Sequence, residues 1–169
     1  WPKWPELLAK KLDMECINLG RSGAGNEYIF SSLVDQIIKM DPNNIGLVIP
    51  AWTQACRKDI KVRGTWKHIG DIKLPDYTAI RNKIPPISLA GNIDKSLIYY
   101  YGLQKICKSK KIPFKQFQMI PFYRSLKKLP KDLLIGGIGV KILYDNPYFN
   151  KIDDNFIGWP TEKRLGGFN

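Results

Sequence analysis

The sequence predicts an α/β domain of three layers, α/β/α, with a parallel sheet in the middle. Short runs that are apolar almost throughout stand at 14–19, 45–49 and 112–120, as in strands covered on both faces. Segments with helical spacing of apolar residues lie around them. The order helix, strand, helix, strand, insertion, helix, strand is the alternation of a parallel sheet flanked by helices.

Residues 5–12 read as a short helix, with Pro5 in its first turn and Leu7, Leu8 and Leu12 on one side. Residues 14–19 are long enough for a buried strand, which carries Cys16. Asn26 is a good N-cap for a helix spaced by Ile29, Phe30, Leu33, Ile37 and Met40. Asp41-Pro42 ends that helix, because proline pushes the residue before it out of helical backbone. Residues 45–49 form a second buried run, expected to lie parallel beside 16–19 as an interior strand. Residues 54–91 lose periodicity and read as an irregular insertion with local structure and substrate contacts. Asn92 or Asp94 caps a further helix whose inner stripe is Leu97, Tyr100, Leu103 and Cys107. Residues 112–120 return to strand character. Residues 133–143 are apolar but carry Gly136, Gly137 and Gly139, which weaken a helix.

The 169 residues fit one domain, 1–169, with enough apolar and aromatic content, 44% and 12%, to fill a core. No apolar stretch approaches the ~20 residues of a membrane span, and no signal segment opens the chain. The first residue is Trp1 and the last, Asn169, follows Gly-Gly-Phe, so both ends read as incomplete. Cys16, Cys56 and Cys107 are odd in number and far apart. Buried thiols in a reducing compartment, cytoplasmic or virion-associated, are expected, not a disulfide framework or zinc site. The net charge of +12 gathers in clusters such as Arg57, Lys58, Lys61, Arg63 and Lys67. No nucleic-acid motif accompanies them, so solvated lysines are the expectation, and sequence-specific nucleic-acid binding is not.

In a parallel sheet, ligands sit beyond the carboxyl ends of the strands. Three loops should gather there: 20–25, 50–57 and 121–124. The first, Gly20-Arg-Ser-Gly-Ala-Gly25, leads from strand to helix. Its glycines permit close backbone approach, and the helix start presents unpaired N–H groups to an anion or developing oxyanion. A tight turn whose glycines serve packing is the plainer alternative. Three motifs fall short here. Asn26-Glu27 stands where a P-loop needs Lys-Ser/Thr, Tyr28 replaces the last glycine of the dinucleotide fingerprint, and Ala24 replaces the closing glycine of a nucleophile elbow. An elbow also needs a histidine; His68, the only one, reads as a surface residue.

Trp4-Pro5-Glu6-Leu7-Leu8-Ala9, followed by Asn18-Leu19-Gly20-x-x-Gly23-Ala24-Gly25-Asn26, resembles the early part of SGNH (GDSL-like) hydrolases, closest to their phage and marine branch. Trp52-Thr53-x-x-x-Arg57-x-Asp59 is similar to the third block of that branch, and Ile157-Gly-Trp-Pro with Leu165-Gly-Gly-Phe to the segment before its last block. The resemblance implies a flavodoxin-like fold and an ester or acetyl-ester hydrolase acting through a serine acyl-enzyme. The Gly-Asp-Ser nucleophile block would precede Trp1 and the Asp-x-x-His block would follow Asn169, so the catalytic residues themselves are not assigned. Gly23 matches the oxyanion-hole glycine, and Thr53 stands at the third-block asparagine, where its hydroxyl is a shorter donor. Ser22, Asn26, Trp52 and Arg57 are expected at the pocket rim. No metal or cofactor is implied, and the expected substrate is an acylated small molecule or carbohydrate, met by Trp66 and Tyr77 of the insertion. Two rival classes stand beside this. One is a non-catalytic viral, structural or binding module of degenerate SGNH fold, docking an acidic partner on its basic face. The other is a phosphate or nucleotide binder using 20–25.

Overall fold

The core forms around one long helix. The computed structural model describes residues 3–69, 89–119, 146–152 and 156–157. In chain order these hold α1 (Trp4–Lys11), α2 (Asn26–Lys39), β1 (Ala51–Trp52), a hairpin of β2 (Lys58–Val62) and β3 (Thr65–Ile69), α3 (Leu89–Ser109), β4 (Gln116–Gln118) and β5 (Phe156–Ile157). Ile93, Leu97, Tyr100, Leu103 and Cys107 recur at helical spacing on α3 and are all fully buried. Full burial of each aliphatic chain in such a stripe contributes about 1.5–3 kcal/mol. The stripe expected from the sequence is thus the centre of the core. The helix itself begins earlier than Asn92, at Leu89.

The sheet against which α3 packs is parallel, in the order β1, β4, β5. Val48 bridges Phe114 in the same register as Ala51 on Phe117, so residues 48–52 follow 114–118 as one ladder. Pro50 has no N–H and interrupts the regular strand, yet its carbonyl still accepts from the Phe117 N–H at 3.3 Å. Trp52 stacks on Tyr100 with ring centroids 4.4 Å apart. On the next residues along, Trp4 of α1 meets Phe117 edge-on at 5.6 Å. Helix α2 lies beside α3, with Phe30 stacked on Tyr99. The architecture is a mixed α/β fold with a small parallel sheet and helices.

Helices α1 and α3 end alike. Asp13 and Lys111 take left-handed backbone, and the next N–H reaches back to the carbonyls of Ala9 and Cys107, at 2.9 Å each. This closure turns each helix into an extended segment. After α3 that segment reaches β4. After α1 it does not form a strand: residues 14–19 pair with nothing, and Cys16 and Ile17 are exposed. The expected strand at 14–19, parallel to 45–49, is therefore corrected. The strand character of 45–49 survives as the Val48 bridge, directed to 114 instead.

Two further expectations change. Residues 58–69, inside the supposed irregular insertion, form an antiparallel hairpin closed by Arg63 and Gly64, both at positive φ. That is the backbone of a type I′ turn, whose twist suits a two-residue hairpin. The thiols are not all buried. Cys16 and Cys56 are exposed, none of the three forms a disulfide, and burial pushes the Cys107 thiol up to about 11. No helix among the described residues is long and apolar enough to cross a membrane. The expectations at 121–124, Tyr77, 133–143 and 158–168 lie outside the described residues.

Candidate functional site

The loop at 20–25 enters α2 through Gly25, which is the N-cap in place of the expected Asn26. The first N–H groups of a helix need partners from outside it. Here Asp59 of β2 supplies them: its carboxylate accepts from the Gly25 N–H at 2.9 Å and the Tyr28 N–H at 2.8 Å. The negative charge also sits at the positive end of the helix. A side chain at Gly25 would bring its Cβ within 2.7 Å of that carboxylate and 2.9 Å of the Arg57 carbonyl, so no side chain fits. The close approach is what the glycine serves.

The hairpin register sets Asp59 directly opposite His68. His68 Nδ1 lies 2.8 Å from Asp59 Oδ1, and against a carboxylate it is the donor. Its ring packs edge-on to Tyr28 at 4.7 Å, and its Cβ is 3.7 Å from where a Cβ on Gly23 would stand. His68 is thus largely buried behind the glycine loop, correcting the surface reading. Its Nε2 is buried and meets no partner among the described residues. The signals were local: Arg63-Gly64 as a turn, and the alternation of Trp66 and His68 on one face.

Asn26 lies on the inner side of the loop, not its rim. It is 3% exposed, and its side chain pairs with the Thr53 backbone in both directions: Oδ1 accepts from Thr53 N–H at 2.9 Å and Nδ2 donates to Thr53 O at 3.1 Å. This copies one rung of a β-ladder with a side chain. The same Nδ2 reaches Ser96 Oγ and Tyr100 Oη, and Gln118 Nε2 also donates to Thr53 O at 2.8 Å. Trp52 is likewise no rim residue. It is fully buried, donating from Nε1 to Gln116 Oε1 at 2.9 Å. Both sit inward because the strand end is roofed by α3.

The remaining site residues stay near the surface. Ser22 is exposed on the loop, and Gly23 adopts a left-handed φ of 74°. The Gly23 N–H has no acceptor among the described residues. Arg57 reaches across to the Ala24 carbonyl at 3.4 Å. Thr53 Oγ1 is buried and also finds no partner among them. Thr53 and Arg57 line an open groove of about 700 Å³, with Arg21, Ala24 and Tyr28 on the loop side. Gly23 and Ser22 do not line it. Among the described residues no cluster of histidine, cysteine and carboxylate has the makings of a metal site.

No protein-family model, curated protein or solved structure matches this chain.

Proposed function

We propose that this chain is the core of an SGNH-like ester or acetyl-ester hydrolase, a three-layer α/β/α domain whose serine and histidine belong to blocks flanking residues 1–169. One observation carries the reading. The two sequence blocks that resemble the family, 18–26 and 52–59, interlock at the carboxyl end of β1 through Asn26 on Thr53, Arg57 on Ala24 and Asp59 on Gly25 and Tyr28. Three layers are supported by the ring contacts: Phe117 meets α1 while Trp52 meets α3, and neighbouring ladder positions face opposite sides.

In this mechanism the serine oxygen attacks the ester carbonyl carbon while the histidine takes the hydroxyl proton. The carbonyl oxygen becomes an oxyanion held by the Gly23 N–H and the Thr53 hydroxyl, two donors that are unclaimed among the described residues. Collapse expels the alcohol, which receives the proton from histidine, and water then frees the acid by the same two steps. The substrate is an acylated small molecule or carbohydrate, and no step calls for a metal or cofactor. The setting is cytoplasmic or virion-associated.

The test is an ester assay on the protein with its encoded flanks, comparing wild type with Thr53→Val, which keeps shape and removes the donor. A fall in kcat of ~10²-fold or more at equal folding is expected. Unchanged kcat removes Thr53 from the oxyanion site. A second reading, a non-catalytic module, draws support from Thr53 being only 1% exposed where relatives offer a longer amide. It expects no turnover by the flanked protein and salt-sensitive binding of an acidic polymer to the face bearing Lys58, Lys61 and Lys67.

A further inference from the structure

The open groove lies between two stretches of extended backbone that meet no neighbour. On one side, Val48 gives both its N–H and its C=O to the 113–115 segment, and the Pro50 and Trp52 carbonyls accept from Phe117 and Met119. In a parallel strand successive residues direct these groups to opposite neighbours. Leu47, Ile49 and Ala51 therefore aim theirs into the groove, and none finds a backbone partner among the described residues. Across the groove, Glu15, Cys16 and Ile17 make no backbone hydrogen bond to a described residue either. The two stretches touch at one end, where Met14 packs over Gly46. Beyond that they part, and the walls are apolar: Leu8, Leu12, Ile17, Leu33, Leu47 and Ile49. Ile17 is 53% exposed.

Open strand edges on both sides of an apolar gap are the seat of a missing strand, since only a strand satisfies both rows of backbone groups at once. The direction of α1 identifies its source. Trp4, at the start of α1, sits against Phe117, and the helix ends beside Met14, next to Gly46 at the start of the 46–52 stretch. Helix α1 thus runs against the sheet, and chain entering it arrives from the carboxyl ends of the strands. A strand feeding α1 and lying in the groove would be parallel to its neighbours, with α1 as its crossover to 15–19.

We propose that this groove holds one further parallel β-strand, apolar on both faces, supplied by the polypeptide that leads into α1. It pairs with Leu47, Ile49 and Ala51 on one edge and with 15–17 on the other, turning the half-exposed segment after α1 into a sheet strand. The inference stands on backbone geometry and is independent of the hydrolase reading. Esterase activity with an empty groove would refute the strand alone, and a filled groove without activity the hydrolase alone.

Residue-resolved amide exchange tests it, on chain 1–169 and on the same chain preceded by the residues encoded ahead of Trp1. In 1–169, Leu47, Ile49 and Ala51 should exchange near the rate of an unstructured peptide while Val48 is protected. In the extended chain those three amides and that of Ile17 should slow by ~10²-fold or more, at every protein concentration. Alkylation of Cys16, which lines the groove, should slow in parallel, with exposed Cys56 as the reference. Equal exchange in the two chains overturns the proposal. So does protection in 1–169 that grows with concentration, which assigns the groove to a second copy. Protection of the extended chain only on adding palmitate assigns it to an acyl chain and overturns the proposal as well.

Discussion

The two edges of the 47–52 stretch share one backbone and differ in almost everything else. Toward β4 and α3, carbonyl and amide groups are paired, Trp52 is fully buried, and the Asn26 side chain supplies the rung that the strand end lacks. Toward residues 15–17, backbone groups are open and apolar side chains face the groove. The difference shows that an apolar sequence run becomes a strand only where a neighbour completes its hydrogen bonds. Stability should therefore be concentrated on one side of a single segment.

Substitution on the closed side gives the largest expected effect. Trp52→Ala removes the stacking on Tyr100 and strands the Gln116 carbonyl, and a cost of about 3–5 kcal/mol is expected in urea denaturation. A loss below 1 kcal/mol would mean that the core is not centred there. Asp59→Ala comes next. It deprives two helix-start amides and His68 of one shared acceptor, and about 3 kcal/mol is expected. The change should also speed exchange at the first turn of α2 before its middle; uniform exchange along α2 would show that the carboxylate is no cap. On the open side, Ile17→Ala in chain 1–169 should change stability by less than about 0.5 kcal/mol. A larger loss would show that 15–17 is already packed and would erase the contrast.

Much of the fold was legible in residue spacing. The stripe Leu97, Tyr100, Leu103 and Cys107 reports burial because a helix repeats every 3.6 residues whatever surrounds it. The stop at Asp41-Pro42 is equally local. The hairpin at 58–69 was not read, because Lys-Asp-Ile-Lys-Val and Thr-Trp-Lys-His-Ile are polar for a strand and Arg63 is an unusual residue at positive φ. Asp59 and His68 form a site-supporting pair only through that register. Asn26 looked like a cap because its residue type favours one; its competing use, as a buried partner for the Thr53 backbone, depends on a strand 27 residues away.

By itself the sequence determined which segments are amphipathic, where the chain must turn, and that Gly25 and its neighbours allow close backbone approach. Tertiary structure alone decided which apolar run became a strand, which side chains at 22–26 and 52–57 face inward, and that one carboxylate serves both α2 and His68. The physical reason is range. Helix periodicity and turn chemistry are properties of neighbouring residues, whereas a parallel ladder, a cap supplied from another element and an open groove each require partners far apart in the chain.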